Sequence, residues 1–231
     1  MSTPLVLAWS GGKDSTLALQ RLRADPRWRV VALLTTVTTG YERIAIHGVR
    51  RSILQRQARA LQLPLIEACI PPQASNDVYE ASFADALATA RAREPVVADV
   101  AFGDLYLADV RAYREALLQR FGWCGVYPLW GEDTSTLAHA FIAAGHRAIL
   151  TCVDTQQIDA AFCGRDFDAA LLADLPPSCD PCGENGEFHT CVHDSPLFSA
   201  PIPLVRGERV LREGRFQYVD LVEAEQRVQS E

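Results

Sequence analysis

Five short apolar segments alternate with helical segments along the first 130 residues of this 231-residue chain. The apolar segments have the length of β-strands and cover residues 5–9, 29–36, 65–70, 96–102 and 126–130. Helical spacing of apolar residues follows at 16–22, 48–63, 77–93 and 109–121. Strands that alternate with helices pair in parallel, because each crossover helix returns the chain to the same edge of the sheet. We therefore predict an α/β domain built on a five-stranded parallel sheet.

A glycine-rich turn joins the first predicted strand to the first predicted helix. Its residues are Ser10, Gly11, Gly12, Lys13, Asp14 and Ser15. Glycines let the backbone approach a ligand closely, and the start of a helix offers N–H groups that suit a phosphate. The serine hydroxyls and Lys13 add donors, whereas Asp14 suits Mg²⁺ ligation or the positioning of a neighbour. The spacing excludes a Walker A loop and resembles the SGGxDS loop of the PP-loop ATP pyrophosphatases, which implies ATP as the cofactor.

Residues that directly follow the other strands are further candidates, because ligands bind at the carboxyl ends of parallel strands. We expect Thr35, His47, Gly103 and Asp104 to contact the nucleotide, and Asp104 to ligate Mg²⁺ together with Asp14. Each has a plainer interpretation. Thr35 could be a polar strand end, His47 a surface or capping residue, and Asp104 the cap of the next helix.

The pattern changes in residues 131–231. A helix is predicted at 134–144, with Thr134 as its N-cap, and a strand at 148–153. The last residues, about 30 of them, alternate as in a hairpin or a small sheet. We predict a smaller α+β domain here, which gives domains at residues 1–130 and 131–231.

The densest polar segment of the chain lies at residues 179–198. One interpretation is a metal site, although its spacing is shorter than that of usual zinc sites. Its ligands would be Cys179 and Cys182 with His189, Cys191 or His193. A second interpretation is a substrate loop, in which Glu184 and Glu187 orient an amine or act as a base. The third is a polar turn that leads into a strand.

Composition narrows the class of protein. The formal net charge is −7, which argues against a dedicated nucleic-acid binder. No apolar run approaches the length of a membrane span, and no signal peptide is recognised, so we expect a cytoplasmic protein without a membrane partner. The seven cysteines are odd in number and mostly in apolar surroundings, which argues against a disulfide framework. Lys13 is the only lysine among 22 basic residues, which hints at a need for a compact ammonium there.

Both halves together resemble the diphthine–ammonia ligase family, a branch of the PP-loop ATP pyrophosphatases. The resemblance rests on the segments WSGGKDS (9–15), FGD (102–104) with DVR (109–111), PLW (128–130) and GENGEFHT (183–190), and on Asp194, Pro196 and Phe198. These segments span nearly the whole chain in the order of the family. The resemblance implies a Rossmann-like first domain of the HUP type and a smaller substrate domain.

The resemblance also implies a reaction. ATP adenylates a carboxylate and releases pyrophosphate, and ammonia then displaces AMP to leave an amide. Lys13, Asp14 and Glu187 are the implied catalytic residues. Substrate or ammonium would be bound by Glu184, Glu187, His189 and Thr190. The implied ligands are ATP, Mg²⁺, ammonium and a carboxylate acceptor, and a homodimer is left open.

Two residues depart from the pattern GEGGEFET of diphthamide-making members, because Asn185 replaces a glycine and His189 a glutamate. The preference for arginine suggests a GC-rich genome and a bacterial branch, where diphthine is not expected. The identity of the acceptor therefore stays open. Two alternatives are a PP-loop enzyme that modifies tRNA, with Cys179 and Cys182 taking part, and an ATP-binding module without catalysis.

Overall fold

The structure is a computed structural model and describes residues 2–40, 43–44 and 48–224, with backbone alone for Arg43 and Ile44. His47, a predicted nucleotide contact, lies outside the described residues. None of the helices in the described ranges combines the length and the apolar character that a bilayer crossing requires.

The first half of the chain folds around a parallel sheet of five strands in the order β4-β2-β1-β5-β6. The strands are β1 (Thr3–Ala8), β2 (Trp28–Thr38), β4 (Leu65–Ile70), β5 (Asp99–Ala101) and β6 (Cys124–Val126), and β3 (Arg43–Ile44) pairs antiparallel with the end of β2. The predicted five-stranded parallel sheet is confirmed. The prediction for the fifth strand was wrong in its bounds, because residues 127–131 turn back through a bond from Trp130 N to Tyr127 O.

Helices flank this sheet and continue into the second half. They are α1 (Lys13–Ala24), α2 (Arg51–Leu61), α3 (Asn76–Arg93), α4 (Ala108–Arg120), α5 (Thr134–Ala143), a single 3-10 turn (Ala160–Phe162) and α6 (Ala169–Asp174). The N-cap of α5 is Asp133 rather than the predicted Thr134. The carboxylate Oδ1 of Asp133 accepts a bond of 2.7 Å from Thr136 N, which satisfies an N–H of the first turn.

The second half contains an antiparallel sheet of four strands in the order β8-β7-β10-β9. Its strands are β7 (Arg147–Asp154), β8 (Phe188–Asp194), β9 (Leu204–Arg212) and β10 (Phe216–Glu223). The last two form the predicted hairpin. The predicted fold class, a Rossmann-like parallel sheet with a smaller α+β unit after it, is therefore confirmed.

Alternating residues of β1 supply two hydrophobic cores, one on each face of the parallel sheet. Leu5 and Leu7 pack into the larger core with α1, α2 and the antiparallel sheet, whereas Val6 packs into the smaller core with α3 and α4. This follows from the strand geometry, in which successive side chains point to opposite faces. As a consequence, the antiparallel sheet lies on the same side as α1, and β8 passes beside the turn that follows β1.

Candidate active site

A cavity of about 410 Å³ opens at the carboxyl ends of β1, β2 and β5. Most of the sequence-predicted site residues line it. These are Ser10, Gly12, Lys13, Asp14, Ser15, Thr35, Gly103, Asp104, Glu184, His189 and Thr190. The apolar part of the wall includes Trp9, Tyr79, Phe83, Phe102, Leu107, Val110 and Phe188. The cavity therefore brings the two predicted clusters together, one from each half of the chain.

The glycine loop, residues 10–15, folds back on itself at the start of α1. Ser10 Oγ accepts a bond of 3.3 Å from Gly12 N, and the hydroxyls of Ser15 and Thr16 donate to Gly12 O at 3.0 and 2.9 Å. Gly11 has a φ of +77°, a conformation that side chains disfavour. The loop therefore presents the N-terminus of α1 to the cavity.

Strand β8 holds this loop from the other half of the chain. Lys13 N donates to Thr190 Oγ1 at 3.1 Å, and Val192 N donates to Gly11 O at 2.8 Å. Thr190 also lines the cavity, so a residue predicted to bind substrate has a structural role as well. The geometry of the phosphate-binding candidate thus depends on both sheets.

Lys13 is buried at the floor of the cavity and pairs with its neighbour Asp14. Its side chain is 3% exposed, and its Nζ lies 5.7 Å from the ring centre of Phe188. The ammonium donates to both carboxylate oxygens of Asp14, at 2.7 and 2.8 Å. Burial is the largest single effect and favours the neutral amine, but the surrounding acidic groups, Asp14 foremost, together outweigh it, and the pKa of Lys13 is raised. Lys13 is therefore a charged group beside apolar side chains, where its electrostatic attraction to an anion is less screened than in water.

The second carboxylate at the cavity, Asp104, is held by an arginine that the sequence analysis missed. Arg114 Nε donates to Asp104 Oδ2 at 2.7 Å, and the guanidinium lies 4.4 Å from the ring centre of Phe102. Gly103 lets this segment approach the start of α1, since a Cβ there would lie 2.9 Å from the carbonyl carbon of Asp14. Asp14 and Asp104 thus line the same cavity from β1 and β5.

The carboxylate loop, residues 179–187, forms the opposite wall. Asp180 organises it, because its Oδ1 accepts bonds from Cys182 N at 2.8 Å and Glu184 N at 3.2 Å. Glu184 in turn reaches across to the first half, where its Oε1 accepts a bond of 2.8 Å from Leu105 N. Burial raises the pKa of Glu184 to about 7, against the opposing effect of this N–H. A carboxyl group with such a pKa can exchange protons at neutral pH.

Glu187, predicted as a catalytic base, is not among the residues that line the cavity. It is 1% exposed, and its Oε1 accepts bonds from Asp180 N at 2.9 Å and Asn185 Nδ2 at 3.0 Å. These contacts tie the two ends of the carboxylate loop together. The geometry favours Glu184 over Glu187 as the glutamate that meets a ligand.

The histidine and the thiols near the cavity are uncharged at neutral pH. Burial, followed by the nearby Lys13 ammonium, lowers the pKa of His189 to about 4. Burial raises the pKa of the thiols of Cys179, Cys182 and Cys191 to about 12, and all seven cysteines are unpaired. Within the described ranges, no three His, Cys, Asp or Glu side chains are grouped to hold a metal ion. The metal-site interpretation of Cys179 and Cys182 gains no support from this arrangement.

Gln57 on α2 is a further residue that the sequence analysis missed. Its side chain is fully buried, and its Nε2 donates to Gly11 O at 3.0 Å and to Val192 O at 2.7 Å. A signal for it was present, because Gln57 falls on the apolar face defined by Ile53, Leu54 and Leu61. A polar residue at such a position needs a buried partner.

Comparisons with known proteins agree with the family resemblance that the sequence motifs indicate. The model of the diphthamide synthase N-terminal domain matches residues 4–123, and that of the C-terminal domain matches residues 133–224. The chain belongs to the diphthamide synthase family. A curated relative, the diphthine–ammonia ligase of Schizosaccharomyces pombe, is 27% identical over 218 residues. The match covers 87% of this chain and 36% of the relative, so the chain spans about a third of that protein's length.

Proposed function

We propose that this protein is an ATP-dependent ligase that forms AMP and pyrophosphate, adenylates a carboxylate and amidates it with ammonia. The observation that carries the proposal is the placement of the glycine loop and Glu184 on opposite walls of one cavity. Membership of the diphthamide synthase family and the name of the yeast relative support the same reaction. The tRNA-modifying and non-catalytic alternatives have no comparable observation in their favour.

The glycine loop is proposed to bind the phosphates of ATP. Pyrophosphate gains negative charge as it leaves the α-phosphorus, and donors that are fixed before the reaction stabilise that charge best. Gly12 N, the Lys13 ammonium and the N-terminus of α1 are such donors. Thr35 Oγ1 is buried at the cavity without a hydrogen-bond partner among the described residues, which suits a polar group of the nucleotide.

Mg²⁺ fits this site as an ion that arrives with the nucleotide. Magnesium is usually held by one or two carboxylates together with substrate phosphates. Asp14 and Asp104 line the cavity and are 31% and 16% exposed, so their oxygens would hold the ion once their present cationic partners yield. When bound, Mg²⁺ would neutralise charge on the phosphates.

The second wall is proposed to bind the acceptor and ammonia. In the first step an acceptor carboxylate oxygen bonds to the α-phosphorus, and the bond to the β-phosphate oxygen breaks. In the second step ammonia bonds to the acyl carbon, and AMP leaves with the electron pair of the broken C–O bond. Glu184, with a pKa of about 7, is suited to take the proton that the ammonium or the new amide nitrogen gives up. His189 and Thr190 line the same wall and are proposed to contact the acceptor.

The nature of the acceptor is proposed only as a carboxylate. Diphthine is a candidate through the name of the yeast relative, and Asn185 and His189 mark where this chain departs from the diphthamide-making pattern. A division into an ATP-binding domain at residues 1–130 and a substrate domain at 131–231 also remains our proposal. The role of Glu187 is likewise a proposal. The geometry favours this residue as a support of the carboxylate loop rather than as a base.

The test is exchange of labelled pyrophosphate into ATP in the presence of Mg²⁺. Diphthine-containing protein and fractionated metabolites serve as acceptor sources. We expect exchange that depends on one source and falls by about 10²–10³-fold in Lys13→Ala, the loss typical of a donor to developing charge. Asp85→Asn, an exposed change on α3, is the matched control and should leave exchange intact. ATP binding without exchange from any source would overturn the ligase assignment.

A further inference from the structure

Gln57 lies outside the cavity, yet its amide touches the glycine loop at the point where the chain turns towards α1. The orientation of this amide follows from its neighbours. Trp9 Nε1 can only donate, and it lies 2.9 Å from Gln57 Oε1. The Nε2 group therefore faces the carbonyl oxygens of Gly11 and Val192, at 3.0 and 2.7 Å. Every polar atom of the buried amide has a partner.

These bonds fix one peptide plane of the glycine loop. Gly11 O accepts from Gln57 Nε2 and from Val192 N, so this carbonyl is held towards α2 and β8. In a trans peptide the N–H of the next residue points the opposite way. Gly12 N is thereby turned away from α2, towards Ser10 Oγ at 3.3 Å and the cavity that Gly12 lines. Without these bonds, the flexible Gly11–Gly12 peptide could rotate and present its oxygen to an anion.

We propose that Gln57 is a positioning residue that sets the direction of the Gly12 N–H and so prepares the glycine loop for pyrophosphate. The inference rests on the proposed function for its catalytic meaning, but its effect on anion binding can be measured without turnover. It also makes β8 part of the phosphate site, because the same amide holds Gly11 and Val192 together. Gln57 is thus one of the contacts that join the glycine loop to β8, beside the bonds from Val192 N to Gly11 O and from Lys13 N to Thr190 Oγ1.

The experiment measures the affinity of inorganic pyrophosphate by calorimetry, and pyrophosphate exchange where an acceptor source supports it. Gln57→Leu removes both donated bonds, and we expect pyrophosphate affinity and exchange to fall about 10²-fold, as for other small displacements of binding groups. Gln55→Leu is the matched control, because it makes the same exchange on the same helix away from the cavity. It removes only a bond from Gln55 Nε2 to Glu67 Oε1, so pyrophosphate affinity should stay within about twofold of the parent.

Gln57→Glu adds a readout that a purely structural residue would not give. As a neutral acid, its carboxyl can donate one bond towards Gly11 O or Val192 O, but as a carboxylate it repels both oxygens. We expect its pyrophosphate affinity, relative to the parent at the same pH, to fall as the pH rises. The corresponding ratio for Gln57→Leu should stay constant with pH.

The outcomes separate this inference from the proposed function. Parent-like pyrophosphate affinity in folded Gln57→Leu, or an equal loss in Gln55→Leu, would overturn the positioning role while exchange by the parent still supports the ligase. Weakened binding in Gln57→Leu, in a protein that shows no exchange from any source, would support the role and count against the ligase. A parent protein that binds no pyrophosphate overturns the inference outright.

Discussion

The glycine loop and the carboxylate loop face each other across one cavity, but different interactions hold them. In the glycine loop, most bonds join residues within five positions of each other, as in the pairs of Gly12 with Ser10, Ser15 and Thr16. Gly11 contributes a positive φ that few other residues tolerate. The turn of this loop is therefore determined largely by residues close in sequence, while β8 and Gln57 hold it in place.

The carboxylate loop relies on side chains that reach distant parts of the chain. Asp180 Oδ2 accepts a bond of 2.7 Å from Thr134 Oγ1, 46 positions away, and Glu184 binds Leu105 N, 79 positions away. The first bond joins two parts of the second half, and the second bond forms only when both halves have folded against each other. The comparison shows that the glycine loop turns mainly through bonds between residues close in sequence, whereas the carboxylate loop also needs Leu105 of the first half to take its place at the cavity.

The largest expected effect comes from breaking the local geometry of the glycine loop. In Gly11→Ala the new Cβ would lie 2.6 Å from Gln57 Oε1 and 2.7 Å from Leu54 Cδ2, at a φ of +77°. Gly131 has the same φ of +77° with nothing within 4 Å, which makes Gly131→Ala a matched control. We expect a cost in unfolding free energy of about 1–2 kcal/mol for Gly131→Ala, from the backbone alone.

For Gly11→Ala the crowding adds about 1–3 kcal/mol to this backbone cost. Urea denaturation of both variants measures the difference. Equal losses would mean that the crowding at Gly11 is relieved by small movements, and that Gln57 does not fix the loop as tightly as its contacts indicate. Nucleotide affinity should fall only in Gly11→Ala.

The next largest effect is expected from removing the side chain that organises the carboxylate loop. Asp180→Ala removes the acceptor of three donors, and hydrogen bonds to a charged group contribute about 1.5–3 kcal/mol each at most. We expect a net loss in unfolding free energy of about 2–3 kcal/mol, since water can reach part of the loop. Asp180→Asn keeps one oxygen for Cys182 N and Glu184 N, and its new NH₂ can donate to Thr134 Oγ1.

The asparagine variant should therefore lose less than half as much as the alanine variant. Nucleotide affinity should be close to the parent value in both, because Asp180 contacts the carboxylate loop and Thr134 and does not line the cavity. A large loss of nucleotide affinity in Asp180→Asn would show that the two loops do not act as separate units.

The contrast between contacts close in sequence and contacts distant in sequence also explains which features could be predicted. The parallel sheet and the glycine loop follow from short apolar segments and from six consecutive residues, and both were predicted. Gln57 and Arg114 were missed, because each becomes part of the site only through partners brought close by folding, Gly11 and Val192 for the first, Asp104 for the second. Gln57 could have been flagged as a polar residue on an apolar helix face.

The two glutamates of the carboxylate loop show the limit of pattern recognition. Glu184 and Glu187 are three positions apart in one motif, so spacing alone could not distinguish the one that lines the cavity. Their difference arises from the turn that Asp180 organises, in which one carboxylate faces Leu105 and the other faces Asp180 N. The predicted bounds of the fifth strand, 126–130, failed because the apolar run continues past the strand into the turn that Trp130 N closes on Tyr127 O.

The smallest expected effect is a change in the pH dependence of stability at Glu184, because solvent screens this partly exposed carboxyl group. Its folded-state pKa, about 7, lies above the value of an unfolded glutamate, which is about 4.3. Between these values the folded protein holds a proton that the unfolded chain has lost, so the free energy of unfolding falls as the pH rises through this window.

Glu184→Gln cannot titrate but keeps an oxygen for Leu105 N. We expect the variant to gain stability relative to the parent between pH 4 and pH 8, with little difference at pH 4. Urea denaturation across this range measures it. Parallel curves for the two proteins would place the proton elsewhere and remove Glu184 from its proposed role as the base.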